Sequence, residues 1–156
     1  MSIQDIGAIG ELIGAFAVVF SLVYLSLQIR NQNRESQAAA THEISQAFRD
    51  SINGFASLDK ADLYVRGNEA WDILSTSEKF VLIASVQQIL RVWEEAFHQH
   101  NERRLPDKVW NVMHSQYSNI MSAQSFCRIW DIRKEFFDPE FREYVDNIEK
   151  SEYMIK

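Results

Sequence analysis

Little in this chain interrupts a helix. Two prolines and five glycines punctuate 156 residues. No stretch alternates apolar with polar side chains over several positions, so the strand and hairpin patterns of a β protein are missing. One cysteine, Cys127, excludes an intrachain disulfide and suits a reducing compartment. Sixteen basic residues stand against 22 acidic ones, and the formal charge of -6 excludes the dense basic surface that nucleic-acid binding needs. A glycine-rich phosphate loop, GxSxG, HExxH and CxxC are all absent, which removes the enzyme classes those motifs mark.

What the chain does have is a long apolar run. Residues 6–29, IGAIGELIGAFAVVFSLVYLSLQI, hold one charge, Glu11, and Arg30 and Arg34 follow. As a helix this run covers roughly 36 Å, enough for a hydrocarbon core of about 30 Å with some tilt. Phe16, Val18, Val19, Phe20, Leu22, Val23 and Leu25 cover the full circumference, unlike the single stripe of a surface helix. A signal peptide has a positive leader, whereas MSIQDI carries only Asp5, and no small-residue cleavage site follows the run. The expectation is a retained transmembrane anchor over residues 1–30 and a cytoplasmic helical domain over residues 31–156. Asp5 and Glu11 precede the run and Arg30 and Arg34 follow it, which places the N-terminus outside and the domain inside.

Beyond the run, helical spacing continues without a breaker through Arg34, with Ile44, Ala47, Phe48, Ile52 and Phe55 on one stripe and a stop at residues 54–59. A short helix near residues 61–66 ends at Gly67, read as its C-terminal cap. Ser75 and Glu78 form a capping box for a helix over residues 78–101, whose Ile83, Val86, Leu90, Trp93 and Phe97 recur every three or four positions. Pro106 at a first helical position opens the next helix, with Val109, Trp110, Met113, Tyr117 and Met121. A helix over residues 125–136 presents Phe126, Ile129, Trp130 and Phe136, and Asp138 with Pro139 opens the last, carrying Phe141, Tyr144, Val145 and Ile148. The fold class is all-α: one N-terminal transmembrane helix followed by a bundle of about five helices, large enough for a single core.

Four segments, GELIGAFAVVFSLVYLSLQIR, WEEAFHQH, LPDKVW and FFDPEFREYVD, together give a chain that resembles a widespread group of small bacterial single-span membrane proteins with a C-terminal helical domain. The resemblance implies a bacterial inner-membrane location and brings no catalytic residue, cofactor or substrate. It also implies a glycine before LPDKVW, where this chain has Arg103.

Within the apolar run, Gly7, Gly10, Gly14, Ala17, Ser21, Tyr24 and Gln28 recur at alternating spacings of three and four. Small and polar side chains along one seam let helix backbones approach in lipid, where hydrophobicity gives no reason to associate. The implied partners are membrane lipids, a second copy of this chain or another membrane helix, and no nucleic acid. Glu11 beside the seam either reaches the headgroups, where it complements the helix dipole, or lines a ring of carboxylates in a small ion-conducting pore. Glu95 and His98 form a single ExxH, the spacing that carboxylate-bridged metal bundles use in duplicate. One copy makes a metal enzyme only across subunits, and Glu94 with His98 reads equally as a surface pair. Cys127 near Phe126 and Trp130 reads as packing, and Trp71, Trp93, Trp110 and Trp130 as core. Arg128, Arg133, Lys134 and Arg142 form a basic face diluted by Asp131, Glu135 and Glu140. The reading is a membrane-anchored, homo-oligomeric scaffold or interaction protein, or an accessory subunit of a membrane complex, with no cofactor and no catalysis of its own; the alternatives are the small oligomeric pore and the metal enzyme assembled across subunits.

Overall fold

The computed structural model describes residues 3–151, and of residues 3–6, 8 and 9 the backbone alone. Among the described residues there are six α-helices and no strand: α1 (Ile3–Asn53), α2 (Leu58–Glu69), α3 (Thr76–Asn101), α4 (Asp107–Ile120), α5 (Gln124–Arg133) and α6 (Pro139–Asp146). The chain forms two compact units, Met1–Ala38 and Ala39–Lys156. The side chain of Asp5, half of the expected acidic flank, lies outside the described residues.

In the unit Met1–Ala38 no described side chain is buried, and only Ser36 and Gln37 are partly buried. Burial begins in the other unit at Ala40 and Ile44, each 1% exposed.

The unit Ala39–Lys156 is built around α3. Ser75 accepts a hydrogen bond from Glu78 N while the Glu78 carboxylate accepts from Ser75 N, so the capping box is closed in both directions. From that start one face of α3 sinks into the core, with Leu82, Val86, Ile89, Leu90, Trp93, Ala96 and Phe97 buried. Trp93 lies flat on Tyr117 of α4, ring centroids 4.4 Å apart, and meets Phe141 and Tyr144 of α6 edge-on. Such contacts add about 0.5–1.5 kcal/mol per pair beyond the area they bury. The polar atoms around this aromatic centre are mostly provided for. Tyr117 donates to Ile89 O, Trp130 Nε1 donates to Asp146, and Asn68 of α2 accepts from both the backbone N–H and the hydroxyl of Ser125 at the start of α5.

The Leu58–Glu69 helix runs past Gly67, which is therefore no cap. Gly67 is buried, and a Cβ there would stand 2.5 Å from Leu82 Cδ2, so the glycine permits α2 and α3 to touch. Pro106 precedes rather than begins α4, whose first residue is Asp107. The helix expected to reach residue 136 ends at Arg133 and tightens into a 3-10 turn, Lys134–Phe136, which leaves Phe136 61% exposed. Ile52 is likewise on the outside, and the buried position of that turn is Ser51, whose hydroxyl donates to Phe48 O. The α6 helix stops at Asp146, before the buried Ile148.

Arg103 explains the glycine that the resemblance implies. Its φ is 60°, and it closes α3 in a left-handed cap in which Arg103 N donates to His100 O and Arg104 N to Gln99 O.

Candidate interaction surface

Residues 10–29 of α1 are rich in Leu, Val, Ala and Phe and contain no proline, so nothing breaks the helix. The Gly10–Asn53 portion is long and apolar enough to cross a membrane: its most apolar window has a mean hydropathy of 2.2 and none of it is buried. Leu12, Ile13, Phe16, Val18, Val19, Phe20, Leu22, Val23, Tyr24, Leu25, Leu27 and Ile29 are between 48% and 71% exposed. For side chains about half uncovered, burial is worth about 1 kcal/mol each, so the dozen together hold about 10 kcal/mol in reserve. That equals the net stability of a whole domain. A contiguous apolar surface of this size marks a contact with lipid or with another protein.

Along the same helix Gly7, Gly10, Gly14, Ala17, Ser21, Tyr24 and Gln28 fall within roughly 100° of the circumference, as their spacing at 100° per residue requires. The three glycines have open space where a Cβ would be, with no atom within 4 Å. The Ser21 hydroxyl donates to Ala17 O at 2.8 Å. Its proton therefore stays within the helix, and only its lone pairs are open to a neighbour. Glu11 is exposed at the edge of this face.

The WEEAFHQH segment does different work from the work its spacing suggests. Glu94 is almost covered, and it does not pair with His98: one carboxylate oxygen accepts from Asp138 N at 2.7 Å, the other from Arg91 at 2.5 Å, and Arg91 also donates to Phe136 O. It thereby fastens α3 to the turn before α6, where Asp138 caps Glu140 N and Phe141 N. Glu95 accepts from Gln99, and the His98 ring packs edge-on against Phe97. Among the described residues no group of three or more His, Cys, Asp or Glu is placed to hold a metal ion.

Cys127 is only half covered, with its thiol directed to Met121 O and Lys150 Nζ 3.3 Å from the sulfur. Trp93, Trp110 and Trp130 are core, while Trp71 sits at the edge beneath Arg128 and Lys79. The basic face is largely neutralised: Arg128 faces Asp72, Lys134 faces Asp131 and Asp146, and Arg142 faces Glu135.

One arrangement had no local signal in the sequence, because its members are 30 residues apart. His114 Nδ1 and Tyr144 Oη stand 2.5 Å apart in a groove of about 490 Å³ that Glu140, Glu143 and Glu149 also line. Burial pushes the Tyr144 phenol up to about 12. A neutral phenol both donates and accepts, so either tautomer of His114 has a partner in Tyr144.

Comparison with family models, with curated proteins and with solved structures returns no match.

Proposed function

We propose that this chain is a membrane-anchored interaction protein, of the kind its resemblance to small bacterial single-span membrane proteins implies. Residues 10–29 of α1 span the inner membrane, and the helical domain stands on the cytoplasmic side. The observation that carries this reading is the ring of twelve large apolar side chains, each about half exposed, since the protein gains about 10 kcal/mol when lipid takes the place of water around them. Arg30 and Arg34 after the run, with no basic residue before it, set the orientation. In this reading the seam from Gly7 to Gln28 is where a second copy, or a helix of a larger membrane complex, packs against the anchor. Glu11, within the first turns, reaches the headgroups rather than a pore axis.

The test is fractionation of cells expressing the chain. The reading expects it in the membrane pellet, resistant to alkaline carbonate and floating with lipid in a density gradient, with the domain protected from protease added to intact spheroplasts. Recovery as a carbonate-soluble protein would overturn the anchor, and digestion of the domain from outside would reverse the orientation. Self-association is checked by Gly14→Cys in a Cys127→Ser background: oxidation in membranes should yield a disulfide-linked dimer, and a residue on the opposite face, Phe16→Cys, should not.

A further inference from the structure

A second apolar surface lies wholly within the unit Ala39–Lys156, between the last turns of α1 and the first of α4. It is a groove of about 570 Å³. Ile44, Phe48 and Met113 form its floor, with Ile44 and Met113 1% and 8% exposed, and Val112 stands at its edge, 65% exposed. Two cations complete the lining, Arg49 from α1 and Lys108 from α4. Six cations of this unit, Arg66, Arg91, Arg104, Arg128, Lys134 and Arg142, face a carboxylate. Among the described residues the side chains of Arg49 and Lys108 take part in no ion pair or hydrogen bond. In a chain of net charge -6, two unpaired cations on the same apolar groove form a site of defined polarity.

Ligand pockets share this composition, an apolar lining with a few polar groups that fix orientation, and occupy about 300–1,000 Å³. An apolar floor calls for a hydrocarbon chain, and cations beside it call for an anion, whose charge-assisted hydrogen bonds they donate. A docked protein fits less well, because nine residues line the groove whereas a stable protein interface engages about 20–30 on each side. We propose that the groove binds a long-chain carboxylate of the fatty-acid class, its tail on Ile44, Phe48 and Met113 and its carboxylate paired with Arg49 and Lys108. The proposal does not rest on the membrane reading, since no residue of the apolar run takes part.

The experiment uses the full chain in nanodiscs and a palmitic acid that carries a photoreactive diazirine on its tail, with the modified peptides mapped by mass spectrometry. Expected are adducts within residues 44–49 and 108–116 that unlabelled palmitate displaces. They should fall at least tenfold in the double variant Arg49→Glu with Lys108→Glu, and also when the methyl ester of the probe replaces the acid. Both substituted residues are exposed, so the helical circular dichroism should be unchanged, and Arg49→Gln with Lys108→Gln should give an intermediate loss. Three outcomes would overturn the proposal: adducts confined to residues 10–29, groove adducts indifferent to charge reversal or to esterification, or a p-benzoylphenylalanine at position 112 that captures a polypeptide, including a second copy of this chain, instead of the fatty acid. Failure to recover the chain in membranes, by contrast, bears only on the anchor.

Discussion

Residues 10–29 of α1 and the 26 residues of α3 are both apolar helices, yet they solve opposite problems. In α3 the apolar positions keep to one side, and nine residues are buried, Trp93 and Leu90 completely. In α1 the large side chains point in every direction, and the least exposed of the twelve, Ile29, is still 48% uncovered. The difference shows that apolar content alone does not make a core. A helix that shows a stripe is completed by its own chain, and a helix that is apolar all round has to be completed by something else.

The largest expected contrast is a truncation in each helix. Trp93→Ala should cost about 3–5 kcal/mol in urea unfolding of the full chain followed by circular dichroism, because it empties the centre of the aromatic cluster. Phe20→Ala, at 71% exposure, should change the same transition by less than about 0.5 kcal/mol. Equal losses would mean that the apolar run packs on the domain.

Glycines sharpen the comparison. Gly67→Leu forces side-chain bulk against Leu82, where even a Cβ comes within 2.5 Å, and should cost about 1–3 kcal/mol by overpacking. Gly10→Leu with Gly14→Leu, where nothing lies within 4 Å, should leave unfolding unchanged and instead lower the dimer fraction in detergent. A dimer fraction that is unaffected would assign association to the helical domain.

Glu78 adds an acid-dependent contribution that belongs to α3 alone. The Ser75 backbone N–H first, and the Arg66 guanidinium next, hold its carboxyl down at about 2 against an ordinary 4.5. A depressed folded pKa means that the native state favours the carboxylate, so this stabilisation is complete above pH 4.5 and disappears as the pH falls toward 2. Glu78→Gln should flatten the stability profile across that window while leaving the membrane fraction unchanged; an unaltered profile would show that the capping box and ion pair contribute nothing.

The smallest effect concerns Arg103. Its left-handed backbone costs about 1–2 kcal/mol for a residue with a Cβ, and a glycine there gives back about 0.4–1 kcal/mol through the freer unfolded chain. Arg103→Gly should therefore raise stability by about 0.5 kcal/mol, and a loss would mean that the arginine side chain is worth more than its strain.

Much of this was legible because it is local. The capping box at Ser75 and Glu78, the stop after Asn53, the Asp138 with Pro139 start and the buried rows of α3 and α4 all follow from short-range pattern. What the pattern missed depends on contacts far along the chain. Gly67 looked like a cap because a glycine near a helix end usually is one, and only Leu82, fifteen residues later, makes it a packing residue. Glu94 looked like a partner for His98 at four residues' spacing, but it is held by Asp138 N, 44 residues away. The cations Arg49 and Lys108 stood out from none of their neighbours in the sequence, since only the packing of α1 against α4 puts both on one groove. For the apolar run the spacing of small residues and the position of Glu11 come from the sequence alone.

The central claim is that bilayer, not protein or water, covers residues 10–29, and spin labelling tests it most directly. Single cysteines at positions 13, 20 and 27 in a Cys127→Ser background, labelled and reconstituted in nanodiscs, should collide readily with oxygen and scarcely with a water-soluble nickel complex, most markedly at position 20. A label at position 112 should show the reverse order. If the nickel complex reaches position 20 as readily as position 112, the run is in water; if neither reagent reaches it, the run is packed in protein, and the membrane anchor is contradicted either way.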